Sequence, residues 1–357
     1  MTKPLRYVLV GVGGWGEHWR TEVLPRLGSL GLAEAAGAAD INPEVLALAK
    51  ESLGLDDAQL FTDAETAIAR TKPDFVIVVV PPAHHEAVVD AAVRHGCHIL
   101  SEKPIADTME ACARIYNKVR AAGLKMAVTM SHRFDQDKQT LERAVKSGRF
   151  GPINYIVHRF THNCREFGSW GEFRHRIPDP LLVEGAVHHF DCLRALAGSN
   201  ARRVYTVAWN PPWGEYGGDS TALVTIEMEN GVRCFYEGAK ANASTMNGWE
   251  HDYIRVECRD GTLELDGRKL RVLRGGAWEP PVSEALRFAE QAAWKNAWLA
   301  ELFVRWLAGG PPPENTLDDN IHCAALLFAA VESAHSRGPV EVSAFLDRHL
   351  VDARTVS

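Results

Sequence analysis

Three stretches of this chain carry residue types that do chemistry, at spacings that matter. The first, Val8-Leu9-Val10-Gly11-Val12-Gly13-Gly14-Trp15-Gly16, is an apolar run that turns through G-x-G-x-x-G. Gly11 permits the tight turn, Gly13 removes the side chain that would block phosphates, and Gly16 lets a following helix pack close. The free N–H groups of that helix start, with Gly14 and Trp15 among them, suit a pyrophosphate. The second stretch, Leu100-Ser101-Glu102-Lys103-Pro104, offers a lysine as proton donor or electrophilic stabiliser. The third, Leu182 to Asp191, puts Glu184 four residues before His188, so on a helix the two share a face and can work as a pair. Neighbouring His189 would point about 100° away. Each has a plainer reading: a steric glycine turn, a solvated surface lysine, and histidines that serve core and cap.

These residues need elements to hold them. A helix-compatible segment from Glu17 to Leu27 leads to a second apolar strand, Ala33 to Ala39, ending in Asp40. That is where a dinucleotide fold wants a carboxylate for the ribose hydroxyls. Ile41 and Asn42 follow, and neither is a cation that could neutralise a 2′-phosphate, so NAD is favoured over NADP. The plainer role for Asp40 is a helix cap before Asn42-Pro43. Helix and strand patterns then alternate: a helix over 44–52, a strand near Phe61, a helix over 64–69, and the wholly apolar strand Phe75 to Val80. A strand apolar on both faces belongs inside a parallel sheet covered on both sides. A helix over 85–94, a strand over 98–100, a helix over 108–121 and a strand over 125–129 complete a doubly wound α/β domain, with the boundary expected at residue 125. In such a sheet Pro81 and His85, like Glu102 and Lys103, face the ligand crevice at the strands' carboxyl ends.

From 126 to 357 the rhythm changes. One helix is followed by strand runs at 153–161, 203–209, 220–227, 232–237 and 253–258, the pattern of an α+β domain with a mostly antiparallel sheet. Glu227 to Val232 supplies a hairpin turn. Helices are expected again over 283–307 and 317–336.

The 357 residues suffice for two domains, and 46% hydrophobic with 24% charged residues describes a soluble globular protein. No apolar run approaches a membrane span, and the short polar start leaves no room for a signal peptide, so a cytoplasmic location is expected. A net charge of −7 gives no attraction to nucleic acid or an anionic bilayer. The seven cysteines are scattered without a C-x-x-C pair, which argues against structural zinc and a disulfide framework.

With the glycine fingerprint and Glu102-Lys103-Pro104 both in place, the chain resembles, nearly end to end, the glucose-fructose oxidoreductase, inositol dehydrogenase and MocA family of NAD(P)-dependent oxidoreductases. Pro81 with His85 resembles the family's P-x-x-x-H segment beside the cofactor. Arg133-Phe134 and Ser147 to Pro152 resemble its passage into the second domain, and Asp319 stands where the family usually has an acidic residue. The family's acid, histidine and aspartate map onto Glu184, His188 and Asp191, with glutamate where the family usually carries aspartate. The resemblance implies hydride transfer from a secondary carbinol to NAD, with His188 as general base, Lys103 stabilising the developing alkoxide, Glu184 orienting substrate or imidazole, and no metal. It also implies that residues 158–176 help form the substrate wall. There Arg165, Arg174 and Arg176 could clamp an anionic substituent, beside His162 and Trp170, or could pair with local acids. Trp170, Trp213 and Trp249 could stack on a sugar or be simply buried. The expected substrate is a small carbohydrate: a sugar, a sugar derivative or a cyclitol. Two other readings stay open, a glycosidase that oxidises C3 transiently and recycles its NAD, and a sensor without catalysis. An uncovered sheet face in the second domain implies a homodimer or homotetramer.

Overall fold

The computed structural model describes residues 3–355. The chain forms two compact units. The first runs to Phe134 and takes back Ala292–Ile321 and the segment from His349 onward; the second comprises Asp135–Gln291 and His322–Arg348. The boundary expected at 125 therefore falls inside the first unit, because the strand Met126–Val128 is the last member of its sheet.

The first sheet has six strands: β1 (Leu5–Val10), β2 (Ala33–Ala39), β3 (Leu60–Phe61), β4 (Phe75–Val78), β5 (His98–Ser101) and β6 (Met126–Val128). All pair in parallel, in the order β3-β2-β1-β4-β5-β6. That order reverses direction between β1 and β4, which opens a crevice at their carboxyl ends. β4 is buried at all four positions, as its unbroken apolar run predicts. The helices are stopped and started by recognisable chemistry. Asn42 caps Pro43–Leu53 and Asp63 caps Ala64–Thr71, each accepting a backbone N–H, and Gly54 closes the first of these in the left-handed region.

The second sheet has nine strands: β7 (Ile153–Thr161), β8 (Ala201–Trp209), β9 (Thr221–Met228), β10 (Arg233–Ala239), β11 (Tyr253–Cys258), β12 (Gly261–Asp266), β13 (Lys269–Arg274), β14 (Val282–Ala285) and β15 (Val340–Glu341). Their order is β14-β13-β12-β11-β7-β10-β9-β8-β15, antiparallel except for the parallel pair β10 and β7. The predicted turn joins β9 to β10, with Gly231 at φ 87°. Along β8, β9 and β10 burial alternates, so one face packs inward while Tyr205, Val207, Trp209, Leu223 and Phe235, each 40–50% exposed, line the other.

Two expectations need correction. The helix expected over 283–307 begins only at Lys295. Residues Val282–Ala285 are instead an edge strand paired with Arg271–Arg274, led in by Pro280 and Pro281, whose fixed φ favours extended backbone. The C-terminal segment adds a helix, Val342–Thr355, that the sequence reading did not include.

The helix Lys295–Leu307 returns to the first unit because its apolar face completes that core. Phe303 is fully buried with its ring edge-on to Phe75 at 5.6 Å, and Ala300 and Val304 join the cluster that holds Trp19 and Leu27. Arg26 and Glu301 pair at 2.7 Å beside it. Phe303→Ala is expected to lower the unfolding free energy of the first unit by about 3–5 kcal/mol, read from denaturant unfolding, since the cavity would collapse only partly.

Candidate active site

In the first unit the glycine fingerprint divides into steric and permissive positions. A Cβ on Gly11, at φ 89°, would lie 2.2 Å from the Val79 carbonyl oxygen, and one on Gly16 would lie 2.3 Å from that of Gly11. Those two glycines let the β1 and β4 loops and the helix start meet. Gly13 meets nothing closer than Val45 at 3.5 Å, and Gly14, at φ 52°, faces open space. The open space at Gly14, at the start of this helix, leaves room for a dinucleotide pyrophosphate. The helical run from Trp15 to Ser29 is π-wound over Trp19–Val23, which carries the Trp19 ring into the core.

Asp40 stands at the carboxyl end of β2, where the sequence places it. One of its oxygens accepts from the N–H groups of Val12 at 2.9 Å and Gly13 at 3.3 Å, and the other from Asn42 at 2.9 Å. The helix cap is Asn42, which accepts from Glu44, so capping is not the role of Asp40.

Glu102 is buried just past β5. Its Oε1 accepts from the Trp15 and Trp19 indoles, both at 2.8 Å, and from the Asn296 amide at 3.2 Å, while its Oε2 accepts from the Lys103 N–H at 3.2 Å. Lys103 follows, half-buried, and its bond to Pro104 is cis. Pro81 opens the turn after β4. His85 is fully buried there, with Nε2 at 2.8 Å from the Val80 oxygen and Nδ1 at 3.0 Å from that of Pro104. Burial lowers the His85 pKa, while the carbonyl oxygens of Val80, Ile105 and Pro104 around the ring work the other way. His85 therefore braces the Pro81 and Lys103 loops against each other.

In the second unit, Leu181–Ala186 is a π-helical turn that runs into the α-helix Val187–Ala197. Glu184 and His188 lie on this junction and are both buried. The Glu184 carboxylate accepts from Arg174 Nε at 3.0 Å, and the Arg174 guanidinium lies over the Phe173 ring at 4.3 Å. The His188 ring meets Trp249 edge-on at 5.8 Å. His189 turns inward, with Nδ1 2.9 Å from the Tyr236 hydroxyl and Nε2 3.5 Å from Asp252. Asp191 is buried 3.9 Å from Arg194. Of the arginines expected to meet substrate, Arg174 pairs with Glu184, Arg176 pairs with Glu172 on the surface, and Arg165 is half-buried. His162 Nδ1 lies 2.9 Å from the Cys164 thiol, and burial, then the Lys240 charge, lowers its pKa. Trp213 is exposed, with its indole N–H donating to the Ala241 oxygen.

Comparison with known proteins decides the lineage. Residues 5–130 match the family model described as the oxidoreductase family, NAD-binding Rossmann fold, and residues 142–342 match that family's C-terminal alpha/beta domain. The chain belongs to this family. It is 42% identical over 350 residues to the uncharacterized protein y4oX of Sinorhizobium fredii, covering 96% of this chain and 97% of that protein. An inositol 2-dehydrogenase of Corynebacterium glutamicum is 30% identical over 65% of this chain and 66% of its own length. Among solved structures, an oxidoreductase from Agrobacterium radiobacter in complex with NAD+, L-tartaric acid and magnesium superposes with a TM-score of 0.83 at 19% identity, covering 96% and 99% of the two chains. As a member of the oxidoreductase family the chain is an NAD-binding oxidoreductase, and NAD is its cofactor.

One residue of this family member escaped the sequence reading. Lys240, just past β10, is completely buried, and its Nζ has no hydrogen-bond partner among the described residues. The ammonium instead lies 4.0 Å from the ring centres of Phe160 and Trp170 and 5.0 Å from that of Trp249. Nothing local announces it, because the two nearest rings, Phe160 and Trp170, come from a distant part of the chain. Burial, with Arg174 adding to it, pushes its pKa down to about 7, while Cys164 and Asp252 work the other way. An unfolded lysine titrates near ~10.4, so between about 7 and about 10 the unfolded chain binds the extra proton and stability rises with pH. Lys240→Met should therefore raise the unfolding midpoint at pH 6.5, where burying the charge costs most, and most of that gain should be lost by pH 9.5. Because the Lys240 charge also lowers the His162 pKa, the comparison is made in a His162→Gln background.

Proposed function

We propose that the protein oxidises a secondary alcohol of a sugar, a sugar derivative or a cyclitol, with NAD as the hydride acceptor. The observation that carries this reading is the junction at Ala186. The π-helical turn ends there, and the α-helix that follows holds His188 one turn beyond a glutamate fixed by Arg174. An imidazole titrates near neutral pH, so His188 can take the hydroxyl proton as the carbon gives up its hydride. Glu184, its carboxylate anchored by Arg174, sets the orientation of imidazole or substrate. Lys103 stabilises the oxygen as negative charge develops on it, and the bracing of its loop by Glu102 and His85 gives that charge a fixed place. The bound nicotinamide supplies the redox chemistry, and the protein supplies placement and electrostatics. The inositol 2-dehydrogenase relative supports a polyol or sugar as the substrate class.

The test is a panel of sugars, glycosides and inositols assayed with NAD⁺, following NADH and products together. Lys103→Ala and His188→Ala are each expected to lower kcat by at least ~100-fold while changing NAD⁺ affinity only a few-fold, because they remove contacts made in the transition state. His189→Ala should act mainly on stability. Near-native turnover by a folded Lys103→Ala protein would take the lysine out of the mechanism. Glycoside cleavage without net NADH would replace the dehydrogenase by a cofactor-recycling glycosidase.

We further propose that a second copy of this chain covers the open face of β8, β9 and β10. A row of five apolar side chains on one face is more than solvent-facing strands ordinarily show. The expected state by light scattering is a homodimer or homotetramer, which Leu223→Lys with Phe235→Lys should shift towards monomer. A monomeric wild-type protein at micromolar concentration would refute this.

A further inference from the structure

The cage around Lys240 is built more like a binding group in reserve than a structural staple. A buried ammonium ordinarily finds a carboxylate, since leaving it unpaired forfeits its hydration without recompense. This one has aromatic faces on three sides and no acceptor for its hydrogens among the described residues. The rings stabilise the charge without using its donors.

The cage also adjoins the reacting segment. A Cβ on Gly185, the residue after Glu184, would touch both Phe160 and Trp170 at 3.6 Å, and Trp249 lies edge-on to His188. Trp170 and Trp249 are only half-buried and sit on connecting segments, so they are the two rings of the cage that a ligand would have to turn aside to reach Nζ. The local charge is unbalanced as well. Arg174, whose guanidinium also lies over Trp170, already engages the Glu184 carboxylate, and Asp252 acts on Lys240 only through its charge, without a bond to Nζ.

We infer that Lys240 is the group that receives a carboxylate of the substrate, beneath Trp170 and Trp249, and that the enzyme acts on a sugar acid rather than on a neutral sugar. This rests on the dehydrogenase reading above. It moves the recognition of an anion away from Arg174 and Arg176, which have acids of their own, to a cation bonded to none among the described residues. Burial pushes the amine down to about 7, and a carboxylate alongside would draw it back to the charged form.

The experiment pairs D-glucuronate with D-glucose and D-galacturonate with D-galactose, with D-glucose 6-phosphate as a second anion. It measures kcat/KM with NAD⁺, and binding to the NADH-loaded protein by calorimetry. The wild-type protein should favour a uronate over its neutral partner by at least tenfold. Lys240→Met should cut that ratio at least tenfold, mostly through KM, and Lys240→Arg should restore part of it. Lys240→Gln reads the same ratio if the methionine variant does not melt cooperatively. An unchanged ratio in a folded variant makes Lys240 a staple for the two tryptophans and overturns the inference. A Lys240-dependent preference for the 6-phosphate overturns the carboxylate in favour of a phosphate. Oxidation of neutral sugars with no uronate binding defeats the inference and leaves the dehydrogenase standing. Lys240-dependent uronate binding without oxidation of any sugar does the reverse, and neither binding nor oxidation overturns both.

Discussion

One buried carboxylate organises the cofactor end of this protein. Glu102 holds the indoles of Trp15 and Trp19 and the amide of Asn296 on one oxygen and the backbone of Lys103 on the other. It thereby ties the helix that starts at the glycine turn, the carboxyl end of β5 and the returning helix Lys295–Leu307 to a single point. A buried carboxylate is tolerated only when its lone pairs are taken up, and here four donors do so. The consequence reaches beyond stability, because the same acid that anchors the glycine loop fixes where the neighbouring lysine begins. Cofactor hollow and candidate alkoxide stabiliser are thus set by one electrostatic knot, and His85 secures the other side of the same loop through the Pro104 oxygen.

The second unit solves a similar problem with a buried charge network. Asp252 lies 2.9 Å from the Lys138 ammonium and 3.5 Å from both His158 and His189, with Asp137 on the other side of the lysine. Burial works against the Lys138 charge, but Asp252 and Asp137 outweigh it and hold the pKa above its ordinary range. His189 is the member that matters for the site. Its ring stacks on Tyr236 and reaches the network, so the helix it belongs to has its rotation fixed at the residue next to His188. Of these two adjacent buried histidines, His189 holds the helix, and His188 is the one proposed to take the proton.

Much of this was legible in the sequence, because it was written in local chemistry. The glycines, the apolar β4, the acidic end of β2 and the E-K-P segment each carry their structural meaning within a few residues, and the i, i+4 spacing separated His188 from His189. Other parts are non-local. The edge strand Val282–Ala285 exists only because Arg271–Arg274 offers it a partner, and its four exposed side chains leave no periodic trace. The return of Lys295–Leu307 to the first unit depends on a gap beside Phe75 that no window around Phe303 can reveal. Lys240 is the extreme case, since two of the three rings around it, Phe160 and Trp170, stand 80 and 70 positions earlier in the chain.

The glutamate that stands where the family usually has aspartate then has a physical account. A longer acid at position 184 would overshoot if its place were set by the helix backbone alone. Here it is set from outside, by the Arg174 guanidinium, which is itself held against Phe173 and Trp170 and bonded to the Trp170 carbonyl oxygen at 3.1 Å. The extra methylene spans the distance to that arginine, and the π-wound turn widens the backbone where the longer side chain must pass. The acid thus comes with an arginine beside it, and Arg174 and Lys240 together place two cations around Trp170. The setting of Glu184 beside His188 and the inferred binding of an anion at Lys240 would thus draw on the same small group of side chains, with Trp170 touching both.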